Sequence, residues 1–188
     1  MSQAEILERP DSERLRPESS PSAPQKSGRP SFNPADWRPK GECADVQDVA
    51  DFFLSDRPDG VPLSNLRLQR LCAYAQAFSL GLRGRRLFGE SLEDFGRGSV
   101  VRKLWERYGG LSSKGPLKPA DVGLPKPILR FAPDERLVLY FVNAHYGVFP
   151  LERLRRNMLR DFPKDLSDAV LKEAFKEHPA VNFLREIG

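Results

Sequence analysis

The sequence predicts a mainly α protein: a compact multi-helix domain over residues 44–188, with a Gly/Pro-rich mid-chain loop, preceded by a disordered N-terminal arm over residues 1–43. Three observations predict it. Apolar residues after residue 44 recur at spacings of three and four, the period that lines one face of a helix. The runs are bracketed by capping residues, prolines or glycines of the kinds that start and stop helices. The first 43 residues are instead dominated by Pro, Ser, Arg and Glu, as in Arg16-Pro17-Glu18-Ser19-Ser20-Pro21, and cannot bury enough apolar surface to offset chain entropy.

Within the arm, Phe32 and Trp37 are the exceptions, since aromatics in such a segment can anchor onto a domain or a partner. A tail that only packs Trp37 loosely is the favoured reading. From Asp45 to Ser55, Val46, Val49, Ala50, Phe53 and Leu54 form one apolar stripe on a short helix, and Pro58-Asp59-Gly60 makes a turn. The strongest helix follows. Ser64 can cap its free N–H groups, Leu63 can staple onto Leu68, and Leu71, Cys72, Ala75, Ser79 and Leu82 continue the inner face until Gly81 and Gly84 loosen the chain.

Ser99 is the expected cap of a further helix through Val101, Leu104, Trp105 and Tyr108, with Gly109 as terminator. Between about 110 and 131, seven glycines and prolines from Gly110 to Pro127 predict a mobile surface loop, with at most a short extended piece at Ile128–Phe131. Helix signals return at Pro133-Asp134-Glu135, with Leu137, Val138, Phe141 and Val142 as the stripe and Gly147 as the end. Pro150 begins the next helix, and a final pair runs from about Asp165 to Glu177 and from Pro179 to Ile187.

Composition narrows function. The chain has 188 residues, 39% hydrophobic and 10% aromatic, and its 30 basic residues against 26 acidic ones leave a net charge of +4. So small an excess favours solubility over nucleic-acid affinity. Cys43 and Cys72 lie in different settings and suggest no disulfide framework, which fits a reducing cytoplasm. No apolar run reaches the length of a membrane span, and the charged N-terminus lacks the centre of a secretion signal.

Chemistry-bearing constellations are not found. His145 and His178 are the only histidines and stand apart from either cysteine, so no metal site is expected. Cys72 falls on an apolar helical face, where burial makes a thiol inert. Gly81-Leu82-Arg83-Gly84 and Gly96-Arg97-Gly98 lack the remaining parts of a phosphate loop, so no nucleotide cofactor is expected. His145 suits a helix C-terminus, and Glu90, Glu93 and Asp94 suit a solvated helix start better than an acid–base pair. Arg153, Arg156 and Arg160 share one face of the helix after Gly147-Val148-Phe149-Pro150, which can mimic a helix-turn-helix. Glu152, Asp161 and Asp165 interrupt that charge, so DNA binding is the minor reading.

Consecutive words in this chain resemble a known family. Asp48-Val49-Ala50-Asp51-Phe52-Phe53-Leu54 is similar to its "VADYFL" helix. Leu63-Ser64-Asn65-Leu66-Arg67-Leu68-Gln69-Arg70-Leu71 and Ala73-Tyr74-Ala75-Gln76-Ala77-Phe78-Ser79-Leu80 are similar to its "LSNLKLQKLLYYAQGWSL" helix, and Arg86-Leu87-Phe88-Gly89-Glu90 to its "PLF.E" element. The family is the Panacea-domain antitoxins of bacterial and phage toxin–antitoxin systems, and the resemblance covers residues 45 to 108. Arg97-Gly98-Ser99-Val100 departs from the family's "yGPV" turn. Tyr146-Gly147-Val148-Phe149-Pro150-Leu151-Glu152-Arg153-Leu154 resembles its "YG.LSA.EL" step, but a "TH.E.PW" motif is absent. If that motif shapes a partner surface, the partner is unusual or the chain is a diverged member.

What the resemblance implies is a non-enzymatic cytoplasmic antitoxin that neutralises a cognate toxin protein by direct contact. Some relatives act as adaptors that hand the toxin to a cellular protease. Such a role needs a surface, and Gln69, Tyr74, Gln76, Arg97 and Trp105 offer the amide, aromatic and guanidinium groups favoured at binding hot spots. Tyr74 and Gln76 fall on the helix flanks, with core packing and a surface role equally open for Tyr74. For Trp105 core packing is the favoured reading.

Overall fold

The computed structural model describes residues 42–56, 61–94, 99–110, 115–117 and 131–187. The expected arm thus lies outside the described residues except for Glu42 and Cys43, and so does most of the Gly/Pro-rich loop. The protein is mainly helical, with helices α1 (Val46–Ser55), α2 (Asn65–Arg83), α3 (Arg102–Tyr108), α4 (Pro133–Tyr146), α5 (Leu151–Asp161), α6 (Asp168–Lys176) and α7 (Pro179–Ile187). Between α2 and α3 a two-residue strand β1 (Glu93–Asp94) pairs antiparallel with β2 (Ser99–Val100), Glu93 opposite Val100.

The expected start of α2 is present: Ser64 Oγ accepts from Arg67 N at 3.3 Å, and Leu63 is buried. Its end is Gly84, whose φ of 69° is a left-handed conformation that a glycine adopts without a Cβ penalty. Between these caps the burial is all round. Leu68, Leu71 and Cys72 are buried, but so are Gln69, Ala73, Tyr74, Gln76, Ala77 and Phe78. A helix wrapped on every side is a core axis, not an amphipathic surface helix, and α2 touches each of the six other helices among the described residues.

Gly81 does not loosen α2, which runs through it to Arg83. A Cβ there would lie 2.7 Å from the backbone of Phe175, so the bare glycine lets α6 approach closely. Across this contact Phe78 meets Phe175 edge-on at 5.3 Å, and Phe141 on α4 at 5.6 Å. Each such buried ring contributes roughly 1.5–3 kcal/mol relative to exposure.

Ser99 does not cap α3, correcting that expectation. It lies in β2, and α3 begins after Val101 with no side-chain cap of its own. The Val101 N–H instead donates to Gln69 Oε1 on α2 at 2.8 Å, so the core supplies the acceptor a local serine would have given. The other ends follow their sequence signals. Asp45 Oδ1 accepts from Gln47 N at 2.8 Å, Pro133 and Pro179 open α4 and α7, and Glu135 Oε2 accepts from Ala132 N at 2.9 Å. The segment after α2 returns to the start of α1, where Ala44 N donates to Leu87 O at 2.8 Å.

Candidate binding groove

Three of the residues expected on a binding surface are inside the molecule. Gln69, Tyr74 and Gln76 are each at most 1% exposed. Gln76 receives Leu87 N at 2.9 Å and Phe88 N at 3.1 Å on Oε1 and donates to Phe88 O at 3.2 Å. It clamps the turn after α2 through both ends of its amide. Gln69 holds the start of α3, and the Tyr74 hydroxyl donates to Asp161 Oδ2 at 3.0 Å. Their exposure is therefore corrected: helix flanks that read as solvent-facing are covered by α3, α5 and the Leu87–Phe88 turn. Trp105 is 38% exposed on α3, which corrects the core packing favoured for it, and Arg97 lies outside the described residues.

Other polar groups of α2 work in the same way. Arg67 donates to the carbonyl of Phe149 and Arg70 Nη1 to the carbonyl of Leu151 at 2.8 Å. These two carbonyls flank Pro150, so α2 fixes the turn between α4 and α5. Tyr74 fixes the far end of α5 through Asp161. Burial opposes ionisation of Asp161, but the neighbouring His178 and the hydrogen bonds from Arg160 and Tyr74 outweigh it and hold its carboxyl below the usual range. Burial and the Asp161 charge push the Tyr74 hydroxyl well above its ordinary value. His178 Nδ1 accepts from Ala180 N at 3.1 Å, and its Nε2 lies 3.9 Å from Asp161 Oδ2.

What α2 holds in place is a groove of about 430 Å³ between α4, α5 and α7. Its floor and walls are aromatic: Phe141, Tyr146, Phe149 and Phe183, the last 46% exposed. His145 joins them, its ring stacked on Phe141 at 4.3 Å. The α5 edge carries Arg153, Asn157 and Arg160, at steps of four and three residues that align on one flank of a helix. The Arg153 guanidinium lies 3.9 Å from the centre of the Phe149 ring, a cation–π pair with no carboxylate partner among the described residues. Arg160 pairs with Asp161 at 2.7 Å through Nε. Among the described residues no acidic side chain lines the groove.

Two members of the expected arginine face, Arg153 and Arg160, line the groove, with Asn157 rather than Arg156 between them. Phe141, Phe149, Asn157 and Phe183 were not legible as a site, because only the packing of α7 against α2 brings residue 183 to residue 141. Elsewhere the candidate chemical groups are committed to structure. Glu90 accepts from Val46 N at 3.2 Å and pairs with Lys103 at 2.9 Å, while Glu93 pairs with Arg102 at 2.8 Å. Burial, with the Glu90 charge, drives the Cys72 thiol well above its ordinary value. Among the described residues no group of three His, Cys, Asp or Glu side chains is placed to hold a metal, and no helix is long and apolar enough to cross a membrane.

A mainly helical protein with an arginine-edged aromatic groove is the class that fold and site define. Comparison with protein-family models, with curated proteins and with solved structures finds no match.

Proposed function

We propose that this protein acts by binding, as an antitoxin that neutralises a cognate toxin protein through direct contact at the groove between α4, α5 and α7. The observation that carries the binding role is the aromatic groove beside Arg153, which has no carboxylate partner among the described residues; this is the residue chemistry enriched at interface hot spots. The toxin as partner is supported by the resemblance of residues 45–108 to the Panacea-domain antitoxins. The α2 words of that resemblance serve as scaffold here, fixing both ends of the helix that forms one edge of the groove.

Co-expression with the product of the adjacent reading frame tests this reading. Rescue of growth from a toxic neighbour, with the two proteins co-purifying, is the expected result. A neighbour whose toxicity is unchanged removes the antitoxin role. Arg153 and Arg160 on one flank also suit a DNA-binding regulator, which salt-dependent shifts of duplex DNA without rescue would establish instead. Rescue that needs a cellular protease would mark the protein as an adaptor that delivers the toxin for degradation.

A further inference from the structure

The groove has a chemistry more specific than stickiness. Its α5 edge offers positive charge and amide donors, and its floor and opposite wall offer aromatic carbon. Arg153 has no carboxylate partner among the described residues, Asn157 makes no side-chain hydrogen bond there, and Arg160 keeps Nη1 unused while Nε and Nη2 hold Asp161. A ligand that fits must therefore bring its own negative charge to one side and apolar surface to the other.

Spacing refines this. Arg153 and Arg160 are seven residues apart, which on a helix is about 10 Å along the axis. A chain extended as polyproline II covers that distance in about three residues at roughly 3.1 Å each and returns its side chains to the same face every third residue. Resting on the protein-binding reading above, we propose that the groove captures an acidic peptide segment of the partner, with two carboxylates about three positions apart and an apolar side chain between them. The carboxylates pair with Arg153 and Arg160, and the apolar group lies on Phe141 and Phe183. Nucleic acid fits less well: among the described residues the α7 side of the groove presents Ala180 and Phe183 and no cation, so phosphates find partners there on one edge only.

The full-length protein is titrated into a fluorescein-labelled peptide built on Asp-Leu-Phe-Asp, read by anisotropy. Comparators are Asn-Leu-Phe-Asn, which lacks the charge, Asp-Gly-Ser-Asp, which lacks the apolar group, and a labelled DNA duplex. Binding of the first peptide at least about ten-fold tighter than of either peptide comparator is expected. Arg153→Ala and Phe183→Ala should each weaken it by about ten-fold, and Leu159→Ala, on the outer side of α5, should leave it unchanged. Should Phe183→Ala lower the melting temperature, Asn157→Ala replaces it as the second groove variant.

Equal affinity for the three peptides, no measurable binding, or affinity indifferent to the groove variants would overturn the proposal. So would tight, Arg153-dependent binding of the duplex in preference to the peptide. Co-expression separates this from the reading beneath it. Rescue retained by the Arg153→Ala, Phe183→Ala double variant overturns the groove while neutralisation stands. Failure of the unaltered protein to rescue overturns neutralisation, and peptide selectivity then stands on its own.

Discussion

The Tyr74 hydroxyl and the Asp161 carboxylate meet in the interior, where removing one partner leaves the other underserved. Tyr74→Phe keeps the ring stacking and deletes the bond, so it should cost about 1–2 kcal/mol and lower the melting temperature by a few degrees, as calorimetry would record. Asp161 sets a pH dependence. Its folded pKa lies below its unfolded value of about 3.9, so its contribution is complete above that pH and is lost as pH falls through the folded value. Denaturant midpoints at neutral pH and near pH 3 should therefore differ less for Asp161→Asn than for the parent. Cys72, fully buried with a raised thiol pKa, should react with a thiol reagent only after unfolding, while exposed Cys43 labels in the native protein; mass spectrometry distinguishes the two. The polar roles of Gln69, Tyr74 and Gln76 were not legible from α2 alone. Tyr74 finds its partner 87 residues later in the chain, and a polar tip on a helix flank looks solvent-facing until that partner is placed.

At the scale of elements, local signals carried most of the boundaries. Ser64 and Gly84 delimit α2, and Pro133 and Pro179 open α4 and α7, because each acts on backbone groups within a turn of itself. The start of α3 was misplaced for the opposite reason: its acceptor is Gln69, 32 residues earlier, and Ser99 was free to pair as a strand. Gly81 was likewise a contact between helices rather than a property of one. Gly81→Ala should force α6 away from α2 and destabilise the fold by about 1–3 kcal/mol, seen as an earlier urea midpoint. The same substitution at Gly89, where an added Cβ meets nothing within 4 Å, should be nearly neutral.

Across the whole molecule, the chain's helical class follows from its periodicity, whereas the groove emerges only when residues 141, 153 and 183 are packed around one axis. Arginines serve that assembly in two distinct ways. Arg67 and Arg70 grip backbone carbonyls beneath the surface, while Arg153 stands at the rim in solvent. Dissolved ions screen exposed charges within about 10 Å at 0.1 M and about 3 Å at 1 M, and reach buried contacts far less. Raising ionic strength should thus release a bound partner from the rim and leave the unfolding transition nearly where it was. The protein would then be recoverable, folded and empty, from a high-salt wash.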